Sequence, residues 1–232
     1  MTDGGKYKFL VTSGGTREKI DEARFIGNSS TGELGSLVCR ALADKAACEK
    51  IFYVCGIGAA MPDTNNAEVW PVSDTDSVME AVKNILLKNE IAGIVHAMAV
   101  SDYRVKSVKT GCGAELDRSK KIASGENELI LTLEAAPKII SFFSSLAPRA
   151  VLAGFKLLCG VTKETLIDTA YDILKKNNCA FVIANDKRVI TKTGHKAYLL
   201  DKNKNITEYL TKKEIACGIA DKMYSLLNEK RT

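Results

Sequence analysis

Short apolar runs of strand composition alternate along this chain with longer stretches that place apolar residues at helical spacing. Residues 7–12 read Tyr-Lys-Phe-Leu-Val-Thr and stop at Ser13-Gly14-Gly15-Thr16, which predicts a buried strand ending in a glycine turn. A polar loop follows. From Thr31 onward Leu34, Leu37, Val38, Ala41 and Leu42 recur on one helical face, with Ser30 or Thr31 placed to cap the N-terminus. The alternation repeats as strand-like residues 51–55, helix-like 77–88 and strand-like 91–98, the pattern of a parallel sheet with right-handed crossovers.

After Asp102 the pattern breaks. Residues 103–126 are polar, rich in Lys, Gly and Ser and without a sustained period, so they predict a long mobile loop. Order resumes with strand-like 128–133, a helix from Pro137, strand-like 150–155, a helix over 163–176 and strand-like 179–185. Residues 196–201 and 205–210 predict an antiparallel hairpin around Lys202-Asn203-Lys204, and 212–227 a closing amphipathic helix. With no internal repeat or linker, the expectation is one domain over residues 1–232 of α/β class: a Rossmann-like, doubly wound, mostly parallel sheet with a C-terminal antiparallel hairpin and a long flexible loop.

Composition narrows the partners more than the fold. No apolar run approaches the roughly 20 residues needed to cross a bilayer, and the start MTDGGKYKFLVTS has no basic region followed by a secretory apolar stretch; a cytoplasmic protein without a membrane partner is expected. Seven scattered cysteines with no C-x-x-C pair and only two histidines argue against disulfides and structural zinc, so no metal site is expected. A net charge of +5 spread along the chain gives no reason to expect nucleic acid. The short basic clusters Lys120-Lys121, Lys175-Lys176 and Lys187-Arg188 suit either solvated surface or a phosphorylated small molecule.

Two glycine-bearing segments carry the candidate chemistry. Ser13-Gly14-Gly15-Thr16 ends the first strand and Gly27-Asn28-Ser29-Ser30-Thr31-Gly32 leads into the first helix. Glycines let backbone amides turn toward a ligand, and a helix N-terminus adds unpaired N–H groups and a positive dipole; a phosphate site and an ordinary turn with a helix cap both remain open on this evidence. Gly56-Ile57-Gly58 lacks the third glycine of a dinucleotide fingerprint and reads as a plain loop. Tyr171 and Lys175 have the Tyr-x-x-x-Lys spacing of some nicotinamide-dependent reductases, a pairing common on exposed helices. His96, inside an apolar run, reads first as a core histidine. Asp102 and Arg104 follow one predicted strand, and Asn185-Asp186 ends another, the edge where open α/β sheets bind ligands.

The blocks SGGTREKIDEARFIGNSSTGELG, AMAVSDYRV, SKKIASGENELILTLEAAPKII, AGFKLL and FVIANDKRVI, in this order, resemble phosphopantothenate–cysteine ligase (phosphopantothenoylcysteine synthetase) of coenzyme A biosynthesis, over about residues 9–200. The resemblance leads to the expectation of the stand-alone bacterial form, without a flavin-binding half before the first strand. It implies a homodimer that joins 4′-phosphopantothenate to L-cysteine through an acyl-nucleotidylate, with CTP as the expected nucleotide, ATP as the alternative, and Mg2+ accompanying the triphosphate. By the same resemblance Asn28 contacts the activated acyl group, and Gly14, Gly15, Ser30 and Gly32 surround the phosphates. His96, Ala97 and Met98 read the base, largely through backbone. Asp102, Ala136, Pro137, Lys138, Ile139, Phe155, Lys175 and Lys176 are further nucleotide contacts, and Asn185 joins Asn28 at the acid substrate. Lys120 and Lys121 are assigned to catalysis.

The chain departs from the family pattern in places. Arg118-Ser119-Lys120-Lys121 stands where many bacterial members carry Lys-x-Lys-Lys, and arginine keeps the charge while changing geometry and hydration. Two other functional classes remain as alternatives: a nicotinamide-dependent reductase and a non-catalytic nucleotide sensor.

Overall fold

The computed structural model describes residues 6–191 and 193–230. Strand β1 (Tyr7–Ser13) leaves the main sheet for a small hairpin, β2 (Arg17–Lys19) and β3 (Phe25–Gly27), before helix α1 (Glu33–Ala43) returns the chain to β4 (Cys48–Gly56). There follow β5 (Ala67–Val72), α2 (Thr75–Lys88) and β6 (Gly93–His96), then a second excursion, β7 (Tyr103–Thr110) and β8 (Leu129–Ala135). The chain continues through α3 (Ile139–Leu146), β9 (Val151–Leu158), α4 (Lys163–Lys176), β10 (Phe181–Asp186) and a 3-10 turn (Lys187–Val189). The hairpin β11 (Ala197–Asp201) and β12 (Ile206–Tyr209) and the helix α5 (Lys212–Glu229) complete it.

Eight strands form one sheet in the order β5-β4-β1-β6-β9-β10-β11-β12. The first six run parallel and the last two are antiparallel. The chain builds outward from β1 through β4 and β5, then crosses back to β6 on the other side. The carboxyl ends of β1 and β6 therefore flank the switch point, the place where open α/β sheets form their ligand crevice.

Both faces of the sheet are covered, which is why its strands read as continuous apolar runs. Phe9, Val11, Ile51 and Tyr53 pack with α1 and α5, whereas Leu10, Phe52, Val54 and Ile94 pack with α2, α3 and α4. Helix α2 begins at a reciprocal cap between Asp74 and Ser77, and α5 at one between Thr211 and Glu214. Among the described residues no helix is long and apolar enough to cross a membrane.

Three sequence expectations change. Residues 103–110, expected as the start of a loop, are strand β7, which pairs antiparallel with β8 outside the main sheet. The register shifts between Val105 and Ser107, so Val105 and Val108 are both buried although three residues apart; a bulge of this kind erases the period-two signal. Strand β5 was not predicted because Pro71 interrupts it; as the outermost strand of the sheet it tolerates a proline. Helix α1 has Gly32 at the N-cap position at φ 72°, and of the expected Ser30 or Thr31 it is Thr31 that serves, from one residue further out, its hydroxyl accepting the Glu33 N–H at 3.4 Å.

Candidate active site at the strand switch point

The glycine turn after β1 is shaped by close backbone approach. Gly14 lies at φ 79° and Gly32 at φ 72°, in the left-handed region that glycine enters without strain. A Cβ on Gly14 would stand 2.7 Å from the Ala59 Cβ, and one on Gly32 2.8 Å from the same atom. Ser13 donates its hydroxyl to the Gly32 carbonyl at 3.0 Å, and the Ala60 N–H donates to Thr31 O at 2.9 Å. The loop after β4 thus forms the back wall of the glycine turn. The first turn of α1 faces this corner; its Glu33 N–H donates to Thr31 Oγ1 at 3.4 Å, while the glycine at the N-cap offers no side chain to the N–H groups that follow, a geometry suited to an anion.

Asn28 is brought to the same place. Its Nδ2 donates to the Ala99 carbonyl at 2.9 Å, and its backbone N–H donates to Thr16 O at 3.2 Å. Ala99 in turn donates to Gly14 O at 2.8 Å and accepts from the Thr16 N–H at 3.2 Å. The segments 13–16, 28–32 and 97–101 are therefore one hydrogen-bonded unit. A primary amide carries two N–H donors: the bond to Ala99 orients the group and leaves the second donor for a ligand.

His96 ends β6 with its Nδ1 2.7 Å from Thr12 Oγ1 and its ring edge-on to Phe143 at 5.2 Å. Thr12 Oγ1 also accepts the Met98 N–H at 3.4 Å, so its hydroxyl proton is free to go to the imidazole. Desolvation lowers the His96 pKa to about 4, and the ring is neutral at physiological pH, although the side chain is half-buried at the strand end and not part of either core cluster. Because the unfolded chain protonates first, stability should fall by on the order of 2 kcal/mol as pH drops from 6.5 toward 4. His195, also lowered by desolvation, adds to the decline below the ordinary histidine range. In urea melts across that range His96→Gln should flatten part of the decline; an unchanged slope would rule His96 out as its source.

Around the rim of the crevice, Lys138 forms an ion pair with Asp102, both exposed, and the Ala136 N–H donates to Asp102 O at 2.9 Å. The structure thus brings Asp102 to the start of α3, beside Ala136, Pro137 and Lys138. The Ile139 side chain, 1% exposed, belongs to the core under α3, so only its backbone is available to a ligand. Phe155 lies half-buried on the α1/α5 face of β9. Asn185 is buried at the end of β10 with its Nδ2 3.0 Å from His195 Nε2, and is tied to that ring. Lys120 and Lys121 are exposed on the segment between β7 and β8.

Lys175 and Lys176 are not brought to the crevice. They occupy the last turn of α4, which runs back from the carboxyl end of β9 to the amino end of β10, the opposite edge of the sheet. There Lys175 pairs with Asp172 at 3.2 Å and lies over the Tyr171 ring at 4.8 Å. The Tyr-x-x-x-Lys pair is likewise remote from the switch point. Two buried carboxylates, Glu18 and Asp21, lie on the hairpin side of the switch point. Glu18 accepts from the Thr75 N–H and hydroxyl at 3.0 and 2.7 Å and holds the start of α2 against β2. Asp21 accepts from the Ala23, Arg24 and Ile122 N–H groups and from the Arg24 guanidinium, which holds it far below the usual carboxylate range. The turn made by Asp21 with Ala23 and Arg24 is a local signal visible in sequence; its bond to Ile122 is not.

Comparison with known proteins agrees with this architecture. A bifunctional coenzyme A biosynthesis protein CoaBC from Thermococcus kodakarensis is 29% identical over 222 residues, covering 95% of this chain and 51% of that protein; the chain spans about half the length of the curated relatives it matches. The crystal structure of the DNA/pantothenate metabolism flavoprotein from Streptococcus pneumoniae superposes with a TM-score of 0.84 at 32% identity, covering 95% of this chain and 99% of that one. Cab2 solved in complex with phosphopantothenate-cysteine shares the fold at 16% identity and a TM-score of 0.70, over 97% of this chain and 89% of that one. Residues 5–227 match the model of the DNA/pantothenate metabolism flavoprotein C-terminal domain, and the chain belongs to that family.

Proposed function

We propose that this chain is a phosphopantothenate–cysteine ligase acting in coenzyme A biosynthesis. The observation that carries the proposal is the unit at the switch point: the Asn28 amide, oriented by Ala99, beside a glycine turn and a helix N-terminus with glycine at its N-cap. Such a site binds an anion and presents an amide donor to a neighbouring carbonyl. The relatives' naming for coenzyme A biosynthesis supports the same reading.

In the proposed reaction the carboxylate of 4′-phosphopantothenate attacks the α-phosphorus of a nucleoside triphosphate, forming an acyl-nucleotidylate and releasing pyrophosphate. The amine of L-cysteine then attacks the acyl carbon, the nucleoside monophosphate leaves, and the amide remains. A carboxylate is a poor electrophile until its oxygen becomes a phosphate leaving group, so the protein's task is alignment and charge stabilisation. Asn28 donates to the developing oxyanion. CTP is the proposed nucleotide and ATP the alternative. Mg2+ neutralises the triphosphate it accompanies; among the described residues no group of three or more His, Cys, Asp or Glu is arranged to hold a metal, so the ion is assigned to the nucleotide.

The test is pyrophosphate release with 4′-phosphopantothenate, cysteine and Mg2+, CTP and ATP in parallel. Release that requires the acid and one nucleotide supports the ligase and identifies the base. Nucleotide binding without release would favour a sensor. A reductase has no support at the site, because no helix follows Gly56-Ile57-Gly58.

The protein is further proposed to act as a homodimer through the β7–β8 ribbon. Leu131 (36% exposed), Leu133 (44%) and Tyr103 (58%) share one face of a ribbon outside the main sheet, and a second copy of the same ribbon would cover that apolar surface. Sedimentation should show a dimer, and Leu131→Lys with Leu133→Lys a monomer. A double variant that still sediments as a dimer would place the interface elsewhere.

A further inference from the structure

Residues 118–122 are held at both ends while Lys120 and Lys121 project between them. At the first end Arg118 directs its guanidinium to main-chain carbonyls of two separate elements: Nε to Ile20 O at 3.0 Å, one terminal nitrogen to Lys19 O at 2.6 Å, and the other to Val105 O at 2.7 Å and Lys106 O at 3.3 Å. At the second end the Ile122 N–H donates to the buried Asp21 carboxylate at 3.1 Å, and Ile122 O accepts from Arg24 at 2.7 Å. The Ile122 side chain is 6% exposed in a small core with Val105 and Val108, against which Ile20 and Ile26 pack. Between these anchors Lys120 is 83% exposed and makes only a loose pair with Asp117 at 3.9 Å.

The anchors stand near the crevice. Val105 and Lys106 lie three and four residues beyond Asp102, and Lys19 and Ile20 the same number beyond Thr16; at about 3.3 Å per residue of strand, both anchoring points are on the order of 10 Å from the rim.

We propose that Arg118 is a positioning residue: it does not itself bind a phosphate but fixes the 118–122 arch so that Lys120 and Lys121 meet the polyphosphate of the nucleotide. This rests on the ligase reading and gives Arg118 a role distinct from that of the lysine usual at its position. A guanidinium has five N–H donors in a planar fork and can serve several carbonyls at once, whereas an ammonium at that position cannot span both elements. The arginine is thus required by geometry, and its charge alone does not suffice.

The decisive variant is Arg118→Lys, which keeps the charge and removes the fork. Two readouts are compared with the wild type after circular dichroism has confirmed the fold. Limited trypsin digestion followed by mass spectrometry measures cutting after Lys120 and Lys121, and initial rates measure KM for the nucleotide against kcat and against KM for the acid. At least tenfold faster cutting, with a tenfold or larger rise in nucleotide KM and an unchanged KM for the acid, is expected. Arg24→Gln, which loosens the far end, should reproduce the faster cutting. If Arg118→Lys behaves as wild type in both readouts, its role is that of a charge and the proposal is wrong. Faster cutting with unchanged nucleotide KM would likewise overturn it, by separating the anchor from the lysines' task. A wild-type protein that released no pyrophosphate would instead remove the ligase reading, while the digestion pattern would still decide whether Arg118 holds the arch.

Discussion

Asn28→Asp is expected to lower product formation by about 10^2- to 10^3-fold, the usual cost of losing one oxyanion donor, while acyl-nucleotidylate accumulates. The Ala99 carbonyl accepts from Asn28 Nδ2 at 2.9 Å. Aspartate offers no donor to that carbonyl, and its charge opposes both the carbonyl oxygen and any negative charge developing on the acyl group. The two half-reactions feel this unequally. Formation of the mixed anhydride places new charge on the phosphoryl group, which is proposed to lie against the glycine turn and the α1 N-terminus. Attack by the cysteine amine places it on the acyl oxygen, where the second Asn28 N–H is proposed to donate. Quenched-flow analysis of nucleotide-labelled species should therefore show a burst of intermediate followed by slow decay. Equal slowing of both steps would move Asn28 from the acyl group to the phosphates, and normal turnover would remove it from the reaction.

The parts of this site legible in the sequence are those in which one residue type answers one local demand. Glycines at 14 and 32 signalled unusual backbone, and both have positive φ. Strands β1, β4, β6, β9 and β10 were legible because burial on both faces leaves unbroken apolar runs. What stayed hidden depends on pairings distant in sequence. Asp21 and Ile122 are 101 residues apart, and nothing local to either announces the bond. Strand β7 was lost to its bulge and β5 to Pro71. Lys175 and Lys176 entered through resemblance, yet a helix that follows a parallel strand must return along the sheet, so its last turn arrives at the edge opposite the switch point. Gly56 was hidden most completely: its surroundings in sequence are those of a plain loop, and its constraint appears only when Ser13 and Cys55 pair in register.

That register makes Gly56→Ala the most damaging small substitution expected outside the residues proposed to touch substrate. Beyond paired Ser13 and Cys55 the two chains converge, and a Cβ on Gly56 would run into the Gly15 carbonyl oxygen and stand 3.0 Å from its carbon. These are backbone atoms, with no flexible side chain that could swing aside. Gly15 is itself confined on its other flank, where a Cβ would stand 3.3 Å from that of Asn28, and it bridges to Ala99. One methyl group must therefore displace the unit that carries Asn28. Overpacking of this kind costs about 2–3 kcal/mol, or roughly 5–10 °C in melting temperature for a chain of this size. A shift near 1 Å at an aligned site can cost about 10^2 in rate, so activity should fall further than stability alone explains. Gly58→Ala, two residues on, is the control. Gly58 has φ 82°, but a Cβ there would meet only the tip of the Arg17 side chain at 3.4 Å. It should cost about 1–2 kcal/mol from the left-handed backbone alone and leave KM for the nucleotide near its wild-type value. If Gly58→Ala proved the more damaging to nucleotide binding, the wall behind the glycine turn would have to be drawn at residue 58, and contact between β4 and Gly15 would not be what shapes the site.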